Sequence, residues 1–138
     1  MIRPREKQAL SRCRQQALDI QSERQALEAK LMSPAPLVKG CLVVTRKVCG
    51  KAGCRCAISK RMRHGPFMHL SVLCQGKTRK IHLPKRWEDT VRAGVEAARG
   101  YRQARQQWVV LEKRMKSLWK QVERYRNHLP YEPKRKGC

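Results

Sequence analysis

The stretch Cys49-Gly50-Lys51-Ala52-Gly53-Cys54-Arg55-Cys56, followed after seven further residues by His64, governs how the rest of the chain is read. Three thiols fall within eight residues, and glycines at 50 and 53 let the backbone curl around a shared centre. Thiolate and imidazole suit the borderline softness of zinc, and a closed tetrahedral site needs four ligands. Cys49, Cys54, Cys56 and His64 are therefore the expected Zn²⁺ ligands. His69, Cys74, Cys41 and His82 are alternatives for the fourth position, since the strands that follow can fold back over the loop. Cys13 is expected in a helical core, and Cys138 in a tail away from the metal.

Outward from the cluster, residues 37–48 are rich in β-branched side chains and read as a strand. Phe67 to Cys74 and Lys77 to Leu83 flank Gln75-Gly76, the pattern of a β-hairpin. Met68, Leu70 and Val72 would share one face, with Ile81 and Leu83 beside them. From Arg5 to Met32, the positions Leu10, Cys13, Ala17, Ile20, Leu27 and Leu31 recur at steps of three and four, and Arg24 fills the missing place. That is a helix with a heptad seam, started at Pro4 and stopped by Ser33-Pro34-Ala35-Pro36. A second helix opens at Pro84, with Glu88 and Asp89 where the helix dipole favours acids. Its seam runs through Ala104, Trp108, Leu111, Met115, Leu118, Val122, Tyr125 and Leu129, while Gly94 and Gly100 weaken its earlier part.

These spacings predict an α+β fold: a small three-stranded antiparallel, zinc-stapled sheet flanked by an N-terminal helix and a long, coiled-coil-like C-terminal helix. The expected segments are 1–33 (helix), 34–84 (zinc-binding β domain), 85–129 (long basic helix) and 130–138 (basic tail). The C-terminal seam is expected either to pair with the first helix as an antiparallel hairpin or to join a second copy or another protein.

Charge narrows the function. Lys and Arg number 33 against 10 Asp and Glu in 138 residues, a net charge of +23. Such self-repulsion opposes compaction and calls for a polyanionic partner. The excess peaks in residues 34–84, which hold 11 basic residues and no acidic one. The same absence bears on catalysis, because zinc hydrolysis or deamination needs a proton carrier near an open metal position, commonly Glu. No His-x-Glu or His-Glu-x-x-His pattern occurs, so no enzymatic activity is expected. No apolar run is long enough to span a bilayer, and Met1-Ile2-Arg3-Pro4-Arg5-Glu6 lacks the apolar core of a secretory signal. A cytoplasmic protein with reduced cysteines and no membrane role is expected.

Cys49-Gly50-Lys51-x-Gly53-Cys54-Arg55-Cys56 with His64-Gly65-Pro66-Phe67, Leu70-Ser71 and Gly76-Lys77-Thr78 resembles a functionally uncharacterised bacterial and archaeal domain family often carried on mobile genetic elements. The resemblance covers roughly residues 37–84. It places Cys49, Cys54, Cys56 and His64 on recurrent polar positions of that family, with Phe67 where Tyr is expected. It also implies an accessory protein that assists a recombinase or transposase in DNA recombination or transposition.

The expected function is thus a non-catalytic, zinc-dependent nucleic-acid-binding protein. Lys51, Arg55, Lys60, Arg61 and Arg63 around the loop, with Lys77, Arg79 and Lys80 on the last strand, are expected to form one cationic face. Arg102, Arg105, Lys113, Arg114, Lys116 and Lys120 extend it along the second helix. One Phe and no paired aromatic platform disfavour base stacking and favour duplex DNA. Trp108 and Trp119 are read as helix-packing residues. The alternatives are an RNA- or ribosome-associated factor and a coiled-coil adaptor for a protein partner.

Overall fold

Apolar residues at alternating spacings of three and four form the two helices. The computed structural model describes residues 3–127, in which α1 spans Pro4–Leu31 and α2 spans Glu88–Arg126. Between them lie three strands, β1 (Cys41–Lys47), β2 (His64–Cys74) and β3 (Lys77–His82), antiparallel and in the order β1-β2-β3. The α+β architecture read from the sequence is the one observed. Leu129 of the expected seam, the tail 130–138 and Cys138 lie outside the described residues.

The chain divides into two compact units, one from the segments up to Ser33 and from Gln103 onward, the other from Pro34–Arg102. In the helical unit, Cys13, Ile20 and Leu27 of α1 bury against Ala104, Leu111 and Leu118 of α2, three heptad layers from each side. Cross-contacts of Arg24 with Trp108, Glu23 with Arg114 and Cys13 with Gln121 make the pair antiparallel. The C-terminal seam thus finds its partner within the chain. Arg24, which interrupts the apolar pattern of α1, sets its guanidinium 4.6 Å from the centre of the Trp108 ring, so the cation caps an aromatic face instead of entering the core. The Trp108 Nε1–H donates to Glu112 at 3.2 Å. Trp119 departs from expectation: at 63% exposure it stands off the seam and packs no core.

In the sheet unit, Met68, Leu70, Leu83 and Val95 form the core, with Val38, Leu42, Val72 and Val91 against it. One sheet face is therefore covered by the first turns of α2. The β2–β3 turn carries positive φ at Gln75 (50°) and Gly76 (75°), as a two-residue hairpin loop requires. Strand β1 begins at Cys41, later than the expected residue 37, because Val38 is engaged elsewhere: its N–H donates to the Gly94 carbonyl of α2 at 3.0 Å. A 3-10 turn, Lys85–Trp87, links Pro84 to α2, whose first turn holds Glu88 and Asp89.

Gly94 is a docking point. A Cβ placed there would lie 2.5 Å from Val38 Cγ2, whereas one on Gly100 would meet nothing within 4 Å. Gly94→Ala is accordingly expected to lower stability by about 1–3 kcal/mol through overpacking, and Gly100→Ala to raise it by about 0.5–1 kcal/mol through helix propensity. Urea unfolding of the two variants checks this; equal stabilisation by both would show that Val38 does not hold α2.

Candidate metal centre

Backbone pairing gathers the cluster. Lys47, the last residue of β1, stands opposite His64, the first of β2, so the intervening loop starts and ends at one place. Between the pairs Thr45–Phe67 and Lys47–His64, two steps of β1 match three of β2. That bulge breaks the alternation of β2, so His64 is not bound to the face of Met68 and Leu70, and bulges commonly re-aim a side chain in this way. Within the loop, Gly50 and Gly53 adopt φ of 73° and 76°, a backbone region that residues with a Cβ rarely enter. Cys54 then caps a 3-10 turn, Arg55–Ala57, that carries Cys56 inward.

The result is a compact Cys₃His set. The three Sγ atoms and one imidazole nitrogen all lie within 4.8 Å of one another. Cys49 Sγ is 3.5 Å from Cys56 Sγ, and Cys54 Sγ is 3.4 Å from His64 Nε2. Four donors at the corners of a tetrahedron, with metal–sulfur distances of roughly 2.3 Å and metal–nitrogen of roughly 2.0 Å, would be spaced roughly 3.5–3.8 Å apart. The side chains therefore fit a four-coordinate ion with little rearrangement.

Local polarity acts on the thiols unequally. The Cys49 N–H donates to Cys56 Sγ at 3.4 Å. The Cys56 amide, then the Cys56 and Cys49 thiols, pull the Cys54 thiol below the usual thiol range, against the effect of burial. At Cys56 the Cys49 amide likewise favours the thiolate, but burial and the adjacent Cys54 and Cys49 sulfurs outweigh it and push that thiol up. Crowding sulfurs whose charges disfavour one another is the situation that a bound cation relieves.

The alternatives for the fourth ligand lie elsewhere. Cys41 pairs with Ser71, and Cys74 with Lys77 at the hairpin end. His69 and His82 face each other across β2 and β3, ring centres 5.3 Å apart, on the sheet face opposite the core. His69 is buried, its Nε2 has no hydrogen-bond partner, and burial, with Lys47, His82 and Lys80 nearby, holds it below the ordinary histidine range. Cys13 is in the helical core, as expected.

The predicted nucleic-acid contacts are distributed less simply than one face. Lys51, Arg55, Lys60 and Arg61 are exposed on the loop, but Arg63 is half-buried. On β3, pairing places Lys80 opposite Ser71, on the open face with His82, whereas Lys77 and Arg79 pair with Cys74 and Val72 and so project to the other side. The expectation of a single cationic face is corrected by this alternation. Along α2, Arg102, Arg105, Lys113, Lys116 and Lys120 are exposed, and Arg114 lies 3.7 Å from Glu23.

One feature had no signal in the sequence reading. A cleft of about 610 Å³ opens beside the cluster, lined by Lys47, Val48, Cys49, Lys51, Cys54, His64 and Phe67. Only the register that sets β1 against β2 creates it.

A family model described as "Domain of unknown function (DUF6788)" matches residues 17–93, and the chain belongs to that family. The match takes in the metal-ligand cluster and the whole sheet. Neither a curated protein nor a solved structure matches the sequence.

Chelation is expected to lower the melting temperature of the sheet unit by roughly 8 °C or more, the size of an effect of about 2 kcal/mol on a domain of this scale. Cys54→Ser and His64→Ala should lose bound metal, while His69→Ala and His82→Ala keep it. Metal analysis of the four purified variants decides the ligand set, and retention by His64→Ala would overturn it.

Proposed function

We propose that this member of the family is a non-catalytic zinc protein that binds nucleic acid, duplex DNA foremost, as an accessory to a recombinase or transposase. The observation that carries the reading is a cationic segment, residues 34–84, whose Lys and Arg side chains form no ion pair among the described residues. Among the described residues the ion pairs are Arg3–Glu6, Glu96–Arg99 and Glu23–Arg114, and none involves a cation from residues 34–84. Eleven such cations without a single carboxylate repel one another unless a polyanion covers them.

Zinc follows from the donor set: three thiolates and an imidazole in a closed tetrahedron is a common structural zinc arrangement. The metal is a staple in this reading, because no carboxylate from residues 34–84 is present to move a proton at the site. The described cysteines are free, which suits a reducing compartment such as the cytoplasm. Among the described residues no helix is long and apolar enough to cross a membrane. Assistance to a mobile-element enzyme rests on the resemblance of the Cys49–Phe67 motif and on no feature of the surface.

Purified protein should contain about one zinc per chain, which elemental analysis measures directly. Fluorescence anisotropy with a blunt duplex should give tighter than micromolar binding at low salt, and log affinity should fall by roughly 0.9 per phosphate contact for each tenfold rise in salt. Replacing Lys51, Arg55 and Arg61 by Gln should flatten that slope by about 1 for each residue that meets a phosphate. Binding at micromolar or weaker affinity without a salt slope would overturn the DNA reading, and structured RNA outcompeting duplex at equal charge would redirect it to RNA.

A further inference from the structure

Phosphate contacts leave the cleft beside the metal cluster unused, since a duplex keeps its bases stacked and paired. Its size, about 610 Å³, falls within the range of small-molecule sites, roughly 300–1,000 Å³. Its walls are of two kinds. Val48 and the half-buried Phe67 ring supply apolar surface, and Lys47 and Lys51, both exposed, supply positive charge. His82 meets the Phe67 ring edge-on, ring centres 6.3 Å apart, and Lys47 Nζ lies over the ring 6.0 Å from its centre. An aromatic ring that lines an open cleft, with cations at hand and no acidic residue anywhere in residues 34–84, suits a ligand that is planar at one end and anionic at the other.

We propose that this cleft takes an unpaired DNA base at a junction of duplex and single strand, stacked on Phe67, with the neighbouring phosphates held by Lys47 and Lys51. The orientation follows from charge. The thiol-rich wall of Cys49 and Cys54 disfavours phosphate, so the base enters and the phosphates remain with the lysines. This inference rests on the DNA-binding reading and adds a preference for unpaired bases to it. A single platform selects for an available ring and not for sequence, because every base has a π-face.

The test compares a blunt duplex with the same duplex carrying a short 3′ single-stranded tail, by anisotropy at fixed salt, using the zinc-loaded full chain. Wild type should bind the tailed duplex roughly tenfold more tightly, within the range of one base–aromatic stack. Phe67→Leu, which keeps apolar volume, should abolish the preference and leave blunt-duplex affinity unchanged, while Phe67→Tyr retains it. A 2-aminopurine placed as the first unpaired base should lose fluorescence on binding wild type but not Phe67→Leu, a stacking signature that a loss of folding does not produce. Equal affinity for both duplexes, or a tail preference that survives Phe67→Leu, overturns the inference while the DNA reading stands. Binding to neither duplex overturns both.

Discussion

Like-charge repulsion is the constraint on which the sheet unit depends. Residues 34–84 bring eleven cations and no carboxylate to a segment whose buried core is Met68, Leu70, Leu83 and Val95, the last of these borrowed from α2. So small a core has little stability to set against self-repulsion. A metal at the cluster where β1 and β2 meet would answer that deficit. A cation held by Cys49, Cys54, Cys56 and His64 would fix both ends of the loop to each other and remove much of its freedom in the unfolded chain. The same tie would hold Lys51, Arg55, Lys60 and Arg61 close together, so a device that steadies the unit would also concentrate its charge.

The helical unit solves its stability problem by other means. Ile20 and Leu111 lie at the centre of heptad layers in which each side chain meets an apolar partner from the other helix. Acid–base pairing contributes little there: the Glu23–Arg114 pair is 3.7 Å apart and about half exposed at both ends. Apolar layering holds the helical unit, whereas the sheet unit offers a candidate metal site, each where composition allows it. A stapled loop would suit a segment so rich in Lys and Arg, because burying more apolar surface there would displace those cations.

Legibility in the sequence followed redundancy. The helices were readable because the seam repeats over many turns, so that one interruption, Arg24, did not hide it. The three thiols were readable because they lie within a single loop. His64 was only one of several possible fourth ligands, and what selects it is the pairing of Lys47 with His64 after a bulge, a long-range register that no local spacing encodes. Two readings lacked such context. Gly94 looked like a weak point in a helix but is where α2 meets Val38. Lys77, Arg79 and Lys80 looked like one patch, although strand alternation sends them to two faces.

The register also makes the two faces of the sheet unequal, and that inequality bears on function. The face of Met68 and Leu70 is closed by α2. The opposite face carries Phe67, His69 and His82 side by side, with Lys80 next to His82 on the same strand face. Among the described residues the buried His69 Nε2 finds no hydrogen-bond partner on that face, a costly arrangement for a ring nitrogen. Phe67 links that row to the cleft beside the metal ligands, so one residue belongs both to the open face and to the loop that the cluster closes. A metal bound at the cluster would then do more than hold the chain together. By fixing where Val48, Lys51 and His64 stand relative to Phe67, it would also shape the recess that these residues line.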